Sequence, residues 1–295
     1  MSLKFLLFSG VVRLISLFST GLLAVLSRPL GWLTWRASKT KRASTLRNLS
    51  ACYPDMTPRD RQKLARESMR HYVLLALETG IAWYWSRGRL MAQFKPAAGL
   101  EHLEDARSKG KGVMFLVPHS GSWELLQLWL NQDLKMYSLY KPGRYPEFDE
   151  KLLRKRQRFG GTMAPTSSAG IRVLLKALKA NHNVLILPDQ DPSDGDGRFA
   201  PFFGVQADTP VLASRLCRQT GCAALFAVCR RTADSRYQVH LVPAEEAFYS
   251  EDLDRSLAAM NRGVEKCIAI DPAQYLWAYK RFKSRPEGEP RFYSP

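Results

Sequence analysis

Residues 112–126 read Gly112-Val113-Met114-Phe115-Leu116-Val117-Pro118-His119-Ser120-Gly121-Ser122-Trp123-Glu124-Leu125-Leu126. Val113 to Val117 is an unbroken apolar run between a glycine and a proline, the pattern of a strand buried on both faces. Trp123 to Leu130 then takes up a helical pattern, so a strand hands over to a helix through a short polar turn. Outward from this unit the alternation continues. Met136–Tyr140 reads as a strand and 147–159 as a helix; 171–180 is helical and Val184–Leu187 a strand. Residues 210–219 read as a helix, 223–228 and 237–242 as strands, and 253–270 as a helix. Strands alternating with helices predict an α/β fold with a mixed, largely parallel central sheet flanked by helices. In such sheets chemistry collects beyond the carboxyl ends of the strands, which is where His119 falls.

Upstream of the sheet the texture is different. Thr57-Pro58 is a helix start, N-cap followed by proline at N1, and the helical pattern runs to about residue 92. Residues 5–26 are apolar apart from Arg13. As one helix they would rise about 33 Å, enough to cross a hydrocarbon core. The first 54 residues carry eight basic side chains and no acidic one, and six of the eight follow the apolar run. Trp32 and Trp35 beside this basic stretch suit a headgroup interface. The reading is an N-terminal membrane-anchoring segment over 1–35 containing a hydrophobic membrane helix. A single domain over 36–295 follows, helical over 36–98 and α/β over 99–295. The positive-inside rule puts that domain in the cytoplasm. Whether 5–26 spans the bilayer or lies in its interface stays open, because Arg13 sits near the middle of the run.

The 295 residues carry 44 Lys plus Arg against 27 Asp plus Glu, a formal net charge of +17, so anionic partners are expected. Five cysteines with no CxxC argue against a disulfide framework or a cysteine-rich zinc site. There is no G-x-S-x-G, no P-loop and no dinucleotide fingerprint. The acidic run Asp189–Asp196 fails the calcium-loop template at Asp194 and Ala200. The five histidines have no metal-ligand spacing. No cofactor and no metal are expected.

One cluster carries chemistry. His119 lies in the turn and Glu124 in the first turn of the following helix. On a continuous helix, five residues would set them about 140° apart, so they meet only if His119 precedes the helix, as Pro118 and Gly121 permit. A histidine backed by a carboxylate is a general base, and an acceptor that brings its own hydroxyl needs no serine from the protein. The alternatives are a structural histidine and a glutamate that complements the helix dipole.

His119-x4-Glu124 after an apolar strand resembles the HX4D/E motif of glycerolipid acyltransferases. The wider set of blocks is similar to the lipid A biosynthesis acyltransferases of lauroyl/myristoyl type. These blocks are Val117–Glu124, Tyr140-Lys141-Pro142, Arg156–Gly160, Leu187–Asp191, Ala200–Gly204 and Gln274–Pro286, in the family's order over nearly the whole chain. The resemblance implies an enzyme of the bacterial inner membrane with its catalytic domain on the cytoplasmic side. It would take an acyl chain from the phosphopantetheine thioester of acyl carrier protein. It would esterify the hydroxyl of a 3-hydroxyacyl chain on a phosphorylated glucosamine disaccharide, the lipid A precursor. It implies His119 and Glu124 as the catalytic pair, with Arg156, Asp189, Lys141 and Gln190 in substrate binding, oxyanion or structural support. Lys141 stands where the family often has Arg, and Ser120 and Ser122 replace a bulkier filling of the loop.

On a helical wheel of 147–159, Arg156 falls between Leu152 and Leu153 on the packed side, and Lys151, Arg154 and Arg158 face outwards. A cation held against the protein body needs an anionic partner. For Arg156 that is a substrate anion, the developing oxyanion, or a salt bridge with Asp189. The basic surplus suits an acidic carrier protein, a phosphorylated lipid and an anionic membrane; no nucleic-acid partner is expected. Two further function classes stay in view: a glycerol-phosphate or lysophospholipid acyltransferase, and a non-catalytic basic membrane-associated binding protein.

Overall fold

A computed structural model describes residues 3–143, 146–192 and 195–293. Six strands form the central sheet: β1 (Val113–Leu116), β2 (Met136–Tyr140), β3 (Thr162–Pro165), β4 (Asn183–Ile186), β7 (Ala223–Arg231) and β8 (Tyr237–Pro243). Their order is β3-β2-β4-β1-β7-β8. All neighbours are parallel except β7 and β8, so the mixed, mostly parallel sheet expected from the sequence is present. A separate antiparallel hairpin, β5 (Gly197–Phe202) with β6 (Val205–Pro210), packs outside it.

β1 is central and buried along its whole length. Because side chains alternate across a sheet, one strand feeds two cores. Met114 and Leu116 join the core under α10 (Ser168–Lys179), α11 (Leu212–Thr220) and α12 (Leu253–Ile270). Val113 and Phe115 join the opposite one, under α7 (Leu100–Ser108) and α8 (Trp123–Leu130).

The amino-terminal region is helical: α1 (Leu3–Ile15), α2 (Thr20–Ala37), α3 (Lys39–Cys52), α4 (Pro58–Leu77), α5 (Thr79–Tyr84) and α6 (Arg87–Met91). Here the structure departs from the single helix expected over 5–26. The run breaks between Ile15 and Thr20 with a bend of 118°, and among the described residues no single helix is long and apolar enough to cross a membrane. Local chemistry makes the break. Ser19 caps α2 by accepting from the Leu22 N–H, Ser16 Oγ donates to the Arg13 carbonyl, and the Trp85 indole donates to the Ser16 carbonyl at 2.7 Å. These bonds replace the backbone bonds that a continuous helix would make. Gly80 lets α5 approach, since a Cβ there would meet Ser16 N at 2.8 Å.

Candidate active site

Parallel pairing brings two of the candidate residues, His119 and Asp189, together. β1 pairs with β4 through Leu116↔Ile186, and Val117 N–H donates to the Ile186 carbonyl at 2.9 Å. Carrying this register three residues further sets His119 opposite Asp189. Asp189 then holds His119 twice: Oδ1 lies 2.8 Å from the ring Nδ1, and Oδ2 accepts from the main-chain N–H at 2.9 Å. The Asp189 side chain is buried, while that of His119 is 15% exposed. Burial pushes the Asp189 carboxyl up, but the His119 charge and hydrogen bonds, with Arg281 nearby, outweigh it and hold the carboxyl below its ordinary value. With Nδ1–H committed to Asp189, Nε2 is the open ring nitrogen, and it makes no hydrogen bond among the described residues. Trp123 lies edge-on to the ring, with centroids 5.0 Å apart.

Glu124 is in the first turn of α8, as expected, but its carboxylate is not the partner of His119. Arg156, the last residue of α9 (Pro146–Arg156), grips it with two guanidinium donors; Nε to Oε2 is 2.9 Å, and Nη2 bonds Oε1. Arg156 therefore does face the packed side, and its anion is Glu124 and not Asp189. Burial alone would lower the guanidinium pKa, but Glu124 raises it, so the cation is held firmly. Both side chains stay about one quarter exposed, 26% and 27%, so solvent reaches the pair.

The outward face expected over 147–159 is corrected at Lys151 in α9 and at Arg158, which lies past its end. Lys151 Nζ donates to Ser9 Oγ at 2.8 Å, and Arg158 donates to the Trp85 carbonyl. Only Arg154 of the three is exposed, paired with Glu150 at 3.4 Å. An isolated wheel cannot know that α1 and α5 cover that side. Lys141 is exposed at the carboxyl end of β2, on the same sheet edge as His119, and Gln190 is half-buried directly after Asp189.

The turn holding His119 is fixed at Gly121, which the sequence marked as permitting it, and by backbone partners that the sequence did not mark. Gly121 has φ +64°, and a Cβ there would lie 2.0 Å from the Cys229 carbonyl. Its N–H donates to the Gln274 carbonyl at 3.0 Å, and Ser122 N–H donates to the Cys229 carbonyl at 2.8 Å. Ser120 N–H donates to the Pro118 carbonyl at 2.7 Å. The backbone N–H groups of Ser120, Gly121 and Ser122 are therefore already used inside the protein.

Behind the turn, buried Glu78 accepts from Ser122 Oγ (2.6 Å), from Arg231 Nε and Nη2 (2.7 Å each) and from the Tyr237 hydroxyl (3.1 Å). Arg231 also donates to the Gly121 carbonyl at 3.1 Å, and Gln274 brackets the Arg231 backbone on both sides. The Glu78–Arg231 pair is far apart in sequence and has no motif of its own, so nothing in the sequence signals it.

All five cysteines are buried and free, and burial pushes the Cys267 thiol to about 12. None of them is placed as a nucleophile beside His119.

The profile of the bacterial lipid A biosynthesis acyltransferases matches residues 2–284. The lauroyltransferase of lipid A biosynthesis from Escherichia coli (strain K12) is 32% identical over 266 residues, covering 90% of this chain and 86% of the relative. The palmitoleoyltransferase from the same organism is 32% identical over 257 residues, 86% of this chain and 83% of its own. The myristoyltransferase is 27% identical over 269 residues, with coverages of 88% and 80%. A histidine with one ring nitrogen fixed and the other open, at the carboxyl edge of a parallel sheet, accompanies a family match over nearly the whole length; the chain belongs to the bacterial lipid A biosynthesis acyltransferases and is an acyltransferase.

Proposed function

We propose that the chain transfers a fatty acyl group, lauroyl-like, from the thioester of acyl carrier protein to the hydroxyl of a 3-hydroxyacyl chain on a lipid A precursor. The observation that carries this reading is His119, with Nδ1 held by buried Asp189 and Nε2 open. Nε2 takes the acceptor hydroxyl's proton as its oxygen attacks the thioester carbonyl. Asp189 keeps the tautomer and supports the imidazolium that forms. The oxyanion is met by Arg156, because the N–H groups at 120–122 are spent. Glu124 holds Arg156 at that position. When the tetrahedral intermediate collapses, the carrier's thiolate leaves and takes the proton from Nε2, giving an ester and a free thiol. Ser122 donates its hydroxyl to Glu78, which supports direct transfer with no acyl-enzyme. Lys141 and Gln190 stand on the same rim as contacts for the substrates.

The reaction takes place at the inner membrane, with the site on the cytoplasmic side. Eleven of the thirteen large exposed apolar side chains described lie between Leu6 and Leu33. A patch of this kind on a water-soluble surface has no benefit and marks an interaction face. Arg28 and Arg36 stand among these residues, as suits an anionic interface. The bent α1–α2 pair enters the interface from one side.

The test is an assay with purified full-length protein in detergent, offered labelled acyl-carrier protein with one acceptor at a time. Label should enter the lipid A precursor with the mass of one added acyl chain. Preferential labelling of glycerol phosphate or of a lysophospholipid would replace this reading with the related one.

A further inference from the structure

A cavity of about 740 Å³ lies behind the His119 turn, where Arg231 and Gln274 hold Gly121. Its walls are α2, α4 and the β7–β8 turn, with Asp271 and Gln274 at its end. Six arginines line it against three carboxylates. The carboxylates are already taken: Glu67 by Arg70 at 2.8 Å, Glu78 by Arg231, and Asp271 by the Gln274 side chain at 2.7 Å. Asp271 also stands 3.6 Å from Arg230 Nε, an ion pair too long for a hydrogen bond, so this buried N–H has no hydrogen-bond partner.

Arg28 and Arg66 are exposed and make no ion pair or hydrogen bond among the described residues. His71, also in the wall, is pushed by burial and by Arg231 and Arg70 to about 2 and adds no charge of its own. The cavity thus holds a surplus of positive charge and an unsatisfied buried donor. Its lining also includes Val25 and Trp32, which are 57% and 61% exposed and belong to the apolar face of α2.

Guanidinium groups select phosphate by paired N–H donors, and an apolar rim selects a ligand with a hydrocarbon part. We propose that this cavity binds the phosphate of an anionic amphiphile, with Arg28, Arg66 and Arg230 on the phosphate and Val25 and Trp32 against its apolar portion. Two sources share this chemistry, a phosphorylated glycolipid acceptor and a membrane phospholipid. Since Arg231 and Gln274 belong both to this wall and to the bonds that hold the Gly121 turn, an occupant would sit one layer of side chains from the His119 loop.

Binding is measured without acyl transfer, so it is decided separately from the reaction proposed above. Full-length protein in neutral-detergent micelles is titrated by calorimetry with short-chain phosphatidic acid, with a phosphorylated glucosamine disaccharide lipid and with inorganic phosphate. The triple variant Arg28→Gln/Arg66→Gln/Arg230→Gln should bind the amphiphiles at least tenfold more weakly. Removing three exposed charges elsewhere, Lys63→Gln/Arg172→Gln/Lys179→Gln, should leave affinity unchanged. If the triple variant melts early, Arg28→Gln/Arg66→Gln carries the test, as both side chains are exposed. Tighter binding of the glycolipid assigns the site to the acceptor, and tighter binding of phosphatidic acid assigns it to bulk lipid. Wild-type affinity in the triple variant, an equal loss in the control, or inorganic phosphate binding as tightly as either lipid would overturn the proposal.

Discussion

Asp189 bonds both the ring Nδ1 and the main-chain N–H of His119, at 2.8 and 2.9 Å, so one buried carboxylate sets the position and tautomer of the imidazole together. Asp189→Asn keeps the size and one acceptor but loses the charge, so it should lower kcat by about 10²–10⁴. The folded carboxyl sits below its unfolded value, so its contribution to stability is present above the ordinary carboxylate range and fades as pH falls through the folded value. Thermal melts of wild type and Asp189→Asn should therefore differ most near neutrality and converge in acid. A wild-type margin that grows on acidification would contradict the pairing.

The Glu124–Arg156 pair predicts strong coupling. Glu124→Gln and Arg156→Gln should each reduce activity severely, and the double variant should be little worse than either single one. Kinetics of the four proteins give the cycle. Independent, multiplying losses would mean that the two residues do not act as a unit.

Gly121 is predicted to accept no side chain. Gly121→Ala meets both the positive φ and the Cys229 carbonyl, and should cost at least about 2 kcal/mol with loss of transfer. Glu78→Gln leaves buried Arg231 without its counter-charge and should cost about 3–5 kcal/mol. Denaturant melts check both; wild-type midpoints would remove the turn's supporting network from the account.

Membrane attachment should depend on the exposed apolar face of α1 and α2. Leu14→Glu/Leu17→Glu, both at exposed positions, should move protein from the membrane fraction to the soluble one while the fold persists. Unchanged flotation with vesicles would place the attachment elsewhere.

Much of the sheet was legible because β1, β4 and β7 are buried apolar runs, which periodicity detects directly. The β5–β6 hairpin was not. Its two-residue turn is Phe203-Gly204, with Phe203 at φ +49°, where an asparagine or aspartate would have announced it. The turn is held instead by Phe203 N–H donating to Glu265 at 2.6 Å, a contact 62 residues away in sequence. Pro201 inside β5 also argued against a strand. The candidate residues were marked by their motifs, but their pairing was not. His119 and Glu124 are neighbours in sequence, yet register gives His119 to Asp189 and helix packing gives Glu124 to Arg156. The break after Ile15 was hidden for a related reason, since hydropathy does not register a serine cap or a distant indole donor.

A rapid-quench single turnover that follows a labelled acyl group from its carrier protein, in wild type and in His119→Ala, separates direct transfer by His119 from a covalent route. Label should pass from carrier to acceptor lipid with none on the enzyme, even when acceptor is withheld, and His119→Ala should slow this transfer by about 10²–10⁴ while the protein remains folded, with a lowered melting point because buried Asp189 loses its partner. A labelled enzyme that forms without acceptor and is chased into product, or a His119→Ala protein that transfers at the wild-type rate, would contradict direct transfer by His119.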